Sequence, residues 1–343
     1  MNLYITLLSA SFFTIVFIVT LKPIAKAINL IDDPGGRKKH KYPTPITGGI
    51  AMFISLFFGV LINEILPFSQ WLLIGSLLLI IIGIIDDRFN LSARTRLIAQ
   101  IFISLLVIFF SSSAVENTGS SFLFNYNLGL LSYPITILII ITIINAFNAI
   151  DGIDGLSGGV AFTVFGLMAY LNYNHVSFKL ILLLMASILG FLLCNIPFNF
   201  NKKIRCFMGD GGSTFLGFSI IWLGINTSQG DIASIFPVTG LWLVSLPVFD
   251  FAASLLRRAA NKKSVFSSDR EHLHYILIDA GFSAKKTLFL ILTINLAISL
   301  IGVIGQLLMI SEAIMFLLWL FAGILYYQCI SLFLNFRSCY KKD

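Results

Sequence analysis

The stretch Asn145-Ala-Phe-Asn-Ala-Ile-Asp-Gly-Ile-Asp-Gly-Leu-Ser-Gly-Gly159 lies between two strongly apolar runs, 130–147 and 158–172. It sets two carboxylates, Asp151 and Asp154, and two amides, Asn145 and Asn148, where an apolar segment ends. At the edge of hydrocarbon such a cluster is costly unless it binds something. The repeated Asp-Gly permits a tight, non-helical backbone, and Asn-x-x-Asn and Asp-x-x-Asp each put two oxygens about one helical turn apart. That arrangement suits a hard divalent cation and the phosphates it accompanies.

The surrounding chain has the same character throughout. Its 343 residues are 57% hydrophobic and 11% charged, with a mean hydropathy of +0.93, more apolar surface than a soluble core can hide. The fold class read from this is all-α, a polytopic membrane protein forming one domain over residues 1–343. Windows of about twenty apolar residues give spans near 3–21, 48–66, 71–85, 97–112, 130–147, 158–172, 179–195, 213–228, 235–256, 286–310 and 313–334, about eleven helices. The first run lacks the basic start and small-residue cleavage site of a secretory signal and is expected to stay as a helix. The four cysteines have no Cys-x-x-Cys spacing, which argues against a thiolate metal site or a disulfide framework.

The net charge of +7 would suggest nucleic acid in a soluble protein, but here the basic residues fall in short connections between spans. With the N-terminus outside, 22 of the 23 Lys and Arg lie on the cytoplasmic side, Lys179 being the exception. The positive-inside rule therefore predicts a cytoplasmic C-terminus. It also puts every acidic motif on that face, so the cleft they form is expected to open to the cytoplasm.

On that face, Asp86-Asp87-Arg88 ends an apolar helix. Helix ends collect charge, yet two acids at a C-terminus oppose the helix dipole and ask for a cation. Phe207-Met-Gly-Asp-Gly-Gly-Ser-Thr214 leads straight into another helix, offering free N–H groups and the Asp210 carboxylate to an anion and its metal; a capped turn is the plainer alternative. His272 and His274 lack a third His or Cys for zinc, so hydrogen bonding to phosphate or sugar is the expectation, with Arg258 and Arg270 as anion partners. Lys41 is the basic residue of the first inside loop expected nearest the site. Asp250 is expected to pair with a basic group near the end of its helix, where Arg257 lies.

Asp86-Asp87-Arg88, Asn145–Gly159, Phe207–Ser213, Ser264–His274 and Ala280-Gly-Phe282, in that order, resemble the polyprenyl-phosphate N-acetylhexosamine-1-phosphate transferase family over nearly the whole chain. The resemblance implies transfer of N-acetylglucosamine 1-phosphate, or a related N-acetylhexosamine 1-phosphate, from a UDP-sugar to undecaprenyl phosphate. UMP would leave, and the product would start O-antigen or other envelope polysaccharide synthesis in a bacterial inner membrane. It implies Mg²⁺, with Mn²⁺ as a substitute, bound at Asp210. It implies Asn148 and Asp151 at the diphosphate, Asp154 and Phe207 at uracil, and Asp86 and Asp87 at the lipid phosphate, with Asp86 as a base. Lys41, Arg258, His272 and His274 then contact substrate. In the family's His-x-His-His pattern this chain has Tyr275, which cannot titrate near neutral pH. The resemblance leaves the oligomeric state open, a homodimer included.

The chemistry agrees. A lipid phosphate oxygen attacking the β-phosphorus of a diphosphate needs positioning and charge neutralisation and no Ser or Cys nucleophile. A cation-coupled transporter would carry mid-span charges reachable from both sides, whereas these acids crowd one interface. A non-catalytic scaffold leaves the motifs unexplained.

Overall fold

The computed structural model describes residues 3–32, 43–119, 127–196, 204–230, 232–264 and 271–340. Thirteen helices follow in order: α1 Leu3–Ala27, α2 Gly48–Ile62, α3 Leu66–Phe89, α4 Ala93–Ser111, α5 Ser132–Ile150, α6 Leu156–Leu171, α7 Phe178–Asn195, α8 Gly209–Ser228, α9 Pro237–Leu243, α10 Ser245–Ala260, α11 Leu273–Asp279, α12 Ala284–Leu307 and α13 Glu312–Tyr340. Among the described residues there is also a two-residue pairing, β1 Ile31–Asp32 antiparallel to β2 Thr44–Pro45, and isolated bridges join Ile46 to Phe207 and Asn117 to Asn127.

Among the described residues, seven helices are long and apolar enough to cross a membrane, or up to eight if the bent pair α9–α10 is one span. Each of the about eleven expected segments overlaps a helix, but three fall short on this criterion. The α2 and α6 helices are apolar but only 15 and 16 residues long, and α8 is diluted by Gly, Ser, Thr and Asp. The expected single helix over 235–256 is in fact two, bent by 73° at Val244. Pro247 has no N–H for the carbonyl of Leu243 four residues back. The hydroxyl of Ser299 in α12 donates to that carbonyl instead, at 3.2 Å.

The α8 helix is the central post. Every residue from Gly211 to Leu223 is buried, with α2, α3, α5, α6 and α9 around it. A helix enclosed on all sides has no polar face, and two of its threonine hydroxyls bond back to its own carbonyls: Thr214 Oγ1 donates to Asp210 O at 2.7 Å and Thr227 Oγ1 to Leu223 O at 2.8 Å. Aromatic edges fill its flanks, Phe53 on Phe215 and Phe68 on Trp222. Between outer helices, buried hydroxyls bond across, Ser55 Oγ to Ala10 O at 2.6 Å and Ser11 Oγ to Ala186 O at 2.8 Å. The last helix, α13, lies at the periphery, with 11% of its apolar window buried.

Candidate active site

Two chain segments converge on the first turn of α8, and a third touches the Asp151 turn beside it. One is the α3–α4 hairpin. Asn90 turns the chain in the left-handed region (φ 52°), Ser92 caps α4 by accepting from Thr95 N, and the two helices run back side by side. This brings Arg96, in the first turns of α4, opposite Asp86 in the last turn of α3. Arg96 Nη1 lies 2.9 Å from Asp86 Oδ2 and 3.4 Å from Asp210 Oδ2, bridging helices α3, α4 and α8. Asp86 is 6% exposed and takes a second bond from Leu91 N at 2.8 Å, so its carboxylate is committed. Asp87 is half-buried and accepts from the backbone N–H of Asp210 at 3.2–3.3 Å. That approach needs a glycine just before Asp210: Gly209 has φ +75°, and a Cβ there would strike Ile46 and the Asp87 carboxylate.

The second segment is the end of α5. Asn148 Nδ2 donates to Asp210 Oδ1 at 2.9 Å and to Ser213 Oγ at 3.1 Å. Asn145 donates to Gln100 Oε1 at 2.7 Å, tying α5 to α4, and among the described residues makes no hydrogen bond to the carboxylates. In the Asp151–Gly155 turn the Asp151 carboxyl is pushed up to about 8, by burial first and then by Asp210, Asp154 and Asp87. Among the described residues the Asp151 side chain makes no hydrogen bond or ion pair. Asp154 is paired with Arg205 at 2.6 Å, and the Arg205 guanidinium stands 5.6 Å over the ring of Phe207. The acids therefore form two groups, Asp86, Asp87 and Asp210 with Arg96 and Asn148, and Asp154 with Arg205 and Phe207. Asp151 lies electrostatically between them.

The third segment follows α10. His272 and His274 are both buried, at 6% and 1% exposure, and their rings stack 6.0 Å apart. His274 Nε2 lies against Gly152, where a Cβ would collide with it, so the turn bearing Asp151 and the histidine segment touch. Asp250 does not pair with Arg257: two helical turns separate them, and Arg257 instead reaches Glu271, at 3.1 Å to Oε2 and 2.6 Å to its carbonyl. The Asp250 partner is His272 Nδ1, at 2.7 Å. Arg258 is half-buried in the last turn of α10. Lys41 and Arg270 lie outside the described residues.

Arg96 and Arg205 were read in the sequence only as part of the cytoplasmic charge. The signal for Arg96 was its spacing, ten residues after Asp86 across a tight turn, which sets them face to face once the hairpin closes. A cavity of about 20 Å³ among Asp86, Arg96, Gln100, Asn145, Asn148 and Asp210 has room for one water. A larger cavity of about 340 Å³ is apolar and lies toward the other end of α8, among Ile143, Met168, Ile220 and Leu241.

Among the described residues no three His, Cys, Asp or Glu form a ready metal cage. The donors are nevertheless all oxygens, and Mg²⁺ characteristically takes one or two carboxylates and completes its shell from water and substrate phosphates. An unpartnered Asp151 beside Asp87 and Asp210 fits that mode.

Carboxylates, an amide and a guanidinium gathered at the head of a buried helix define the class of site, a polar pocket in an apolar helical bundle suited to anionic groups. The comparisons give the family. The glycosyl transferase family 4 profile matches residues 69–228. Proteins named undecaprenyl-phosphate alpha-N-acetylglucosaminyl 1-phosphate transferase are similar over almost the full length. That of Yersinia pestis is 34% identical over 324 residues, 93% of this chain and 88% of the relative. That of Haemophilus influenzae is 35% identical over 325 residues, 92% and 89% respectively, and that of Escherichia coli K12 is 32% identical over 331, 94% and 90%. The chain belongs to glycosyl transferase family 4.

Proposed function

We propose that this chain transfers N-acetylglucosamine 1-phosphate from UDP-N-acetylglucosamine to undecaprenyl phosphate. A phosphate oxygen of the lipid bonds to the β-phosphorus, the bond from that phosphorus to the bridging oxygen breaks, and UMP leaves with that oxygen. The observation that carries the reading is the convergence of Asp87, Asp210, Asn148 and Arg96 on one helix start, in a chain whose full-length relatives bear that activity in their names.

Asp210, with Asp151 beside it, would hold Mg²⁺. Bound there, the ion supplies charge neutralisation to the diphosphate oxygens. Asn148 fixes the Asp210 rotamer through Oδ1. Asp86, buried and bound to Arg96, orients that guanidinium toward the site, where it can meet a nonbridging oxygen. Asp87, the half-exposed member of the pair, receives a proton if the lipid phosphate arrives protonated. Arg205 and Phe207 offer a cation and an aromatic face to the uridine, and Asp154, displaced from Arg205, accepts from uracil N–H.

The same reading takes the chain across the bacterial inner membrane eleven times, counting α2, α6, α8 and the α9–α10 pair as crossings, with the site cytoplasmic. Its basis is that 22 of 23 basic residues fall on that side.

The test is purified protein with Mg²⁺, undecaprenyl phosphate and a panel of UDP-sugars, with lipid and nucleotide products identified by mass spectrometry. Lipid-linked N-acetylglucosamine diphosphate and UMP are expected. Release of UDP in place of UMP, or no lipid product from any donor, overturns the proposal.

A further inference from the structure

Asp250 is 2% exposed, and no step of the proposed chemistry uses it. It lies in α10 just beyond the break at Val244, and its carboxylate accepts three hydrogen bonds from two other elements. His272 Nδ1 donates to Oδ2 at 2.7 Å, while Leu273 N–H and the Tyr326 hydroxyl donate to Oδ1 at 2.9 and 2.8 Å. One oxygen thus holds the start of α11 and the middle of α13, and the other is given wholly to the histidine ring.

We propose that Asp250 is a positioning residue for the transfer. It fixes the rotamer and tautomer of His272 and, through the stacked rings, seats His274 against the turn that carries Asp151. The inference rests on the function proposed above.

An ionised carboxylate can only accept, so the proton must be on His272 Nδ1, and in the neutral ring Nε2 then presents a lone pair. An acid behind a histidine commonly fixes ring orientation and tautomer in this way. The rings of His272 and His274 are within 4° of parallel with centroids 6.0 Å apart, and only Leu273, itself bound to Asp250, separates them in sequence. His274 has nowhere to go, because Gly152 is already in contact with it. The gap bounded by Asp250, Leu273, His274 and Ile150 is about 10 Å³, no more than one water, so the coupling is by direct packing.

Asp250→Asn tests this with little change in shape. Leu273 N–H and the Tyr326 hydroxyl keep the amide oxygen on their side, which turns the NH₂ toward Nδ1 and forces the opposite, Nε2–H tautomer. The expected result is a melting temperature near that of the parent, a kcat at least tenfold lower and a KM for UDP-N-acetylglucosamine within about threefold. Tyr326→Phe removes a donor without touching the tautomer and is expected to keep kcat within twofold. Asp250→Asn in a His272→Gln background is expected to add nothing further, since groups acting as one unit are not additive.

A kcat within twofold of the parent for Asp250→Asn, equal losses in the Asn and Phe variants, or additive losses in the double variant would overturn the proposal. A measurement on the unaltered protein needs neither folded variants nor turnover. Ring ¹⁵N spectra of histidine-labelled protein, with His272 assigned by its Gln variant, are expected to show a protonated Nδ1. A bare Nδ1 on His272 overturns the inference. A parent that spectroscopy finds so arranged but that makes no lipid product refutes the transferase reading instead.

Discussion

Replacing Arg96 by Ala removes the one guanidinium seen to bridge Asp86 and Asp210, and the structure sets the size of the loss. At 2.9 and 3.4 Å, unit charges in an effective dielectric of about 20 attract by roughly 5–6 kcal/mol each before desolvation is subtracted. The Asp210 contact contributes little of that net, because Arg96 and Asp210 are 34% and 39% exposed and water screens the pair. Asp86 decides the outcome. At 6% exposure it would be left with Leu91 N as its remaining donor, and orphaning a buried charge costs about 3–5 kcal/mol. Protonation of the stranded carboxyl limits the penalty, so about 2–3 kcal/mol is expected, a fall of roughly 4–8 °C in Tm. The assay is thermal unfolding in detergent beside the transfer rate. Arg96→Lys keeps the charge but not the fork and should lose about half as much. Adding Asp86→Asn to Arg96→Ala should restore most of the melting temperature, because removing both partners of a buried pair is far cheaper than removing one, while turnover stays low. A double variant that melts below the single one would refute the reasoning, since the destabilisation would then not come from an orphaned carboxylate.

Asp210→Asn keeps the size and the Asn148 contact but loses the charge a hard dication needs, so transfer should fall about a thousandfold, roughly 4 kcal/mol of barrier, with Tm preserved; near-normal turnover at millimolar Mg²⁺ would remove it from the metal site. Asp87→Asn should leave calorimetric binding of UDP-N-acetylglucosamine nearly intact while kcat drops by orders of magnitude, whereas Asp154→Asn should weaken nucleotide binding by about 1.5–3 kcal/mol. Equal affinity losses would mean that one metal cluster holds both substrates. Cysteines introduced at Asn117 and Ile232 should react with an impermeant reagent on intact cells, and cysteines at Asn90 and Lys262 should not; the reverse pattern would invert the assigned topology.

Periodicity does not single out the candidate residues, but their placement in the sequence does. Asn148, Asp151 and Asp210 are polar residues at the ends of apolar runs, where the cost of burial makes each conspicuous, and the structure puts Asn148 and Asp210 in contact with Asp151 beside them. Helices were legible for the same reason, through length and apolarity. What stayed hidden depended on pairing at a distance. Arg96 looks like any other loop cation until the hairpin closes, and Arg205 meets Asp154 across 51 residues. The Asp250 partner was misread because helix spacing suggests neighbours on the same helix, whereas a carboxylate this deeply buried recruited donors from two other elements. The break at Val244 was foreshadowed by Pro247, yet an apolar window averages a proline away.

The enclosure of α8 has a consequence for kinetics. With Gly211 to Leu223 shielded on every side, its backbone amides can exchange with deuterium only when the whole bundle opens, so the segment just past Asp210 belongs to the slowest-exchanging part of the molecule.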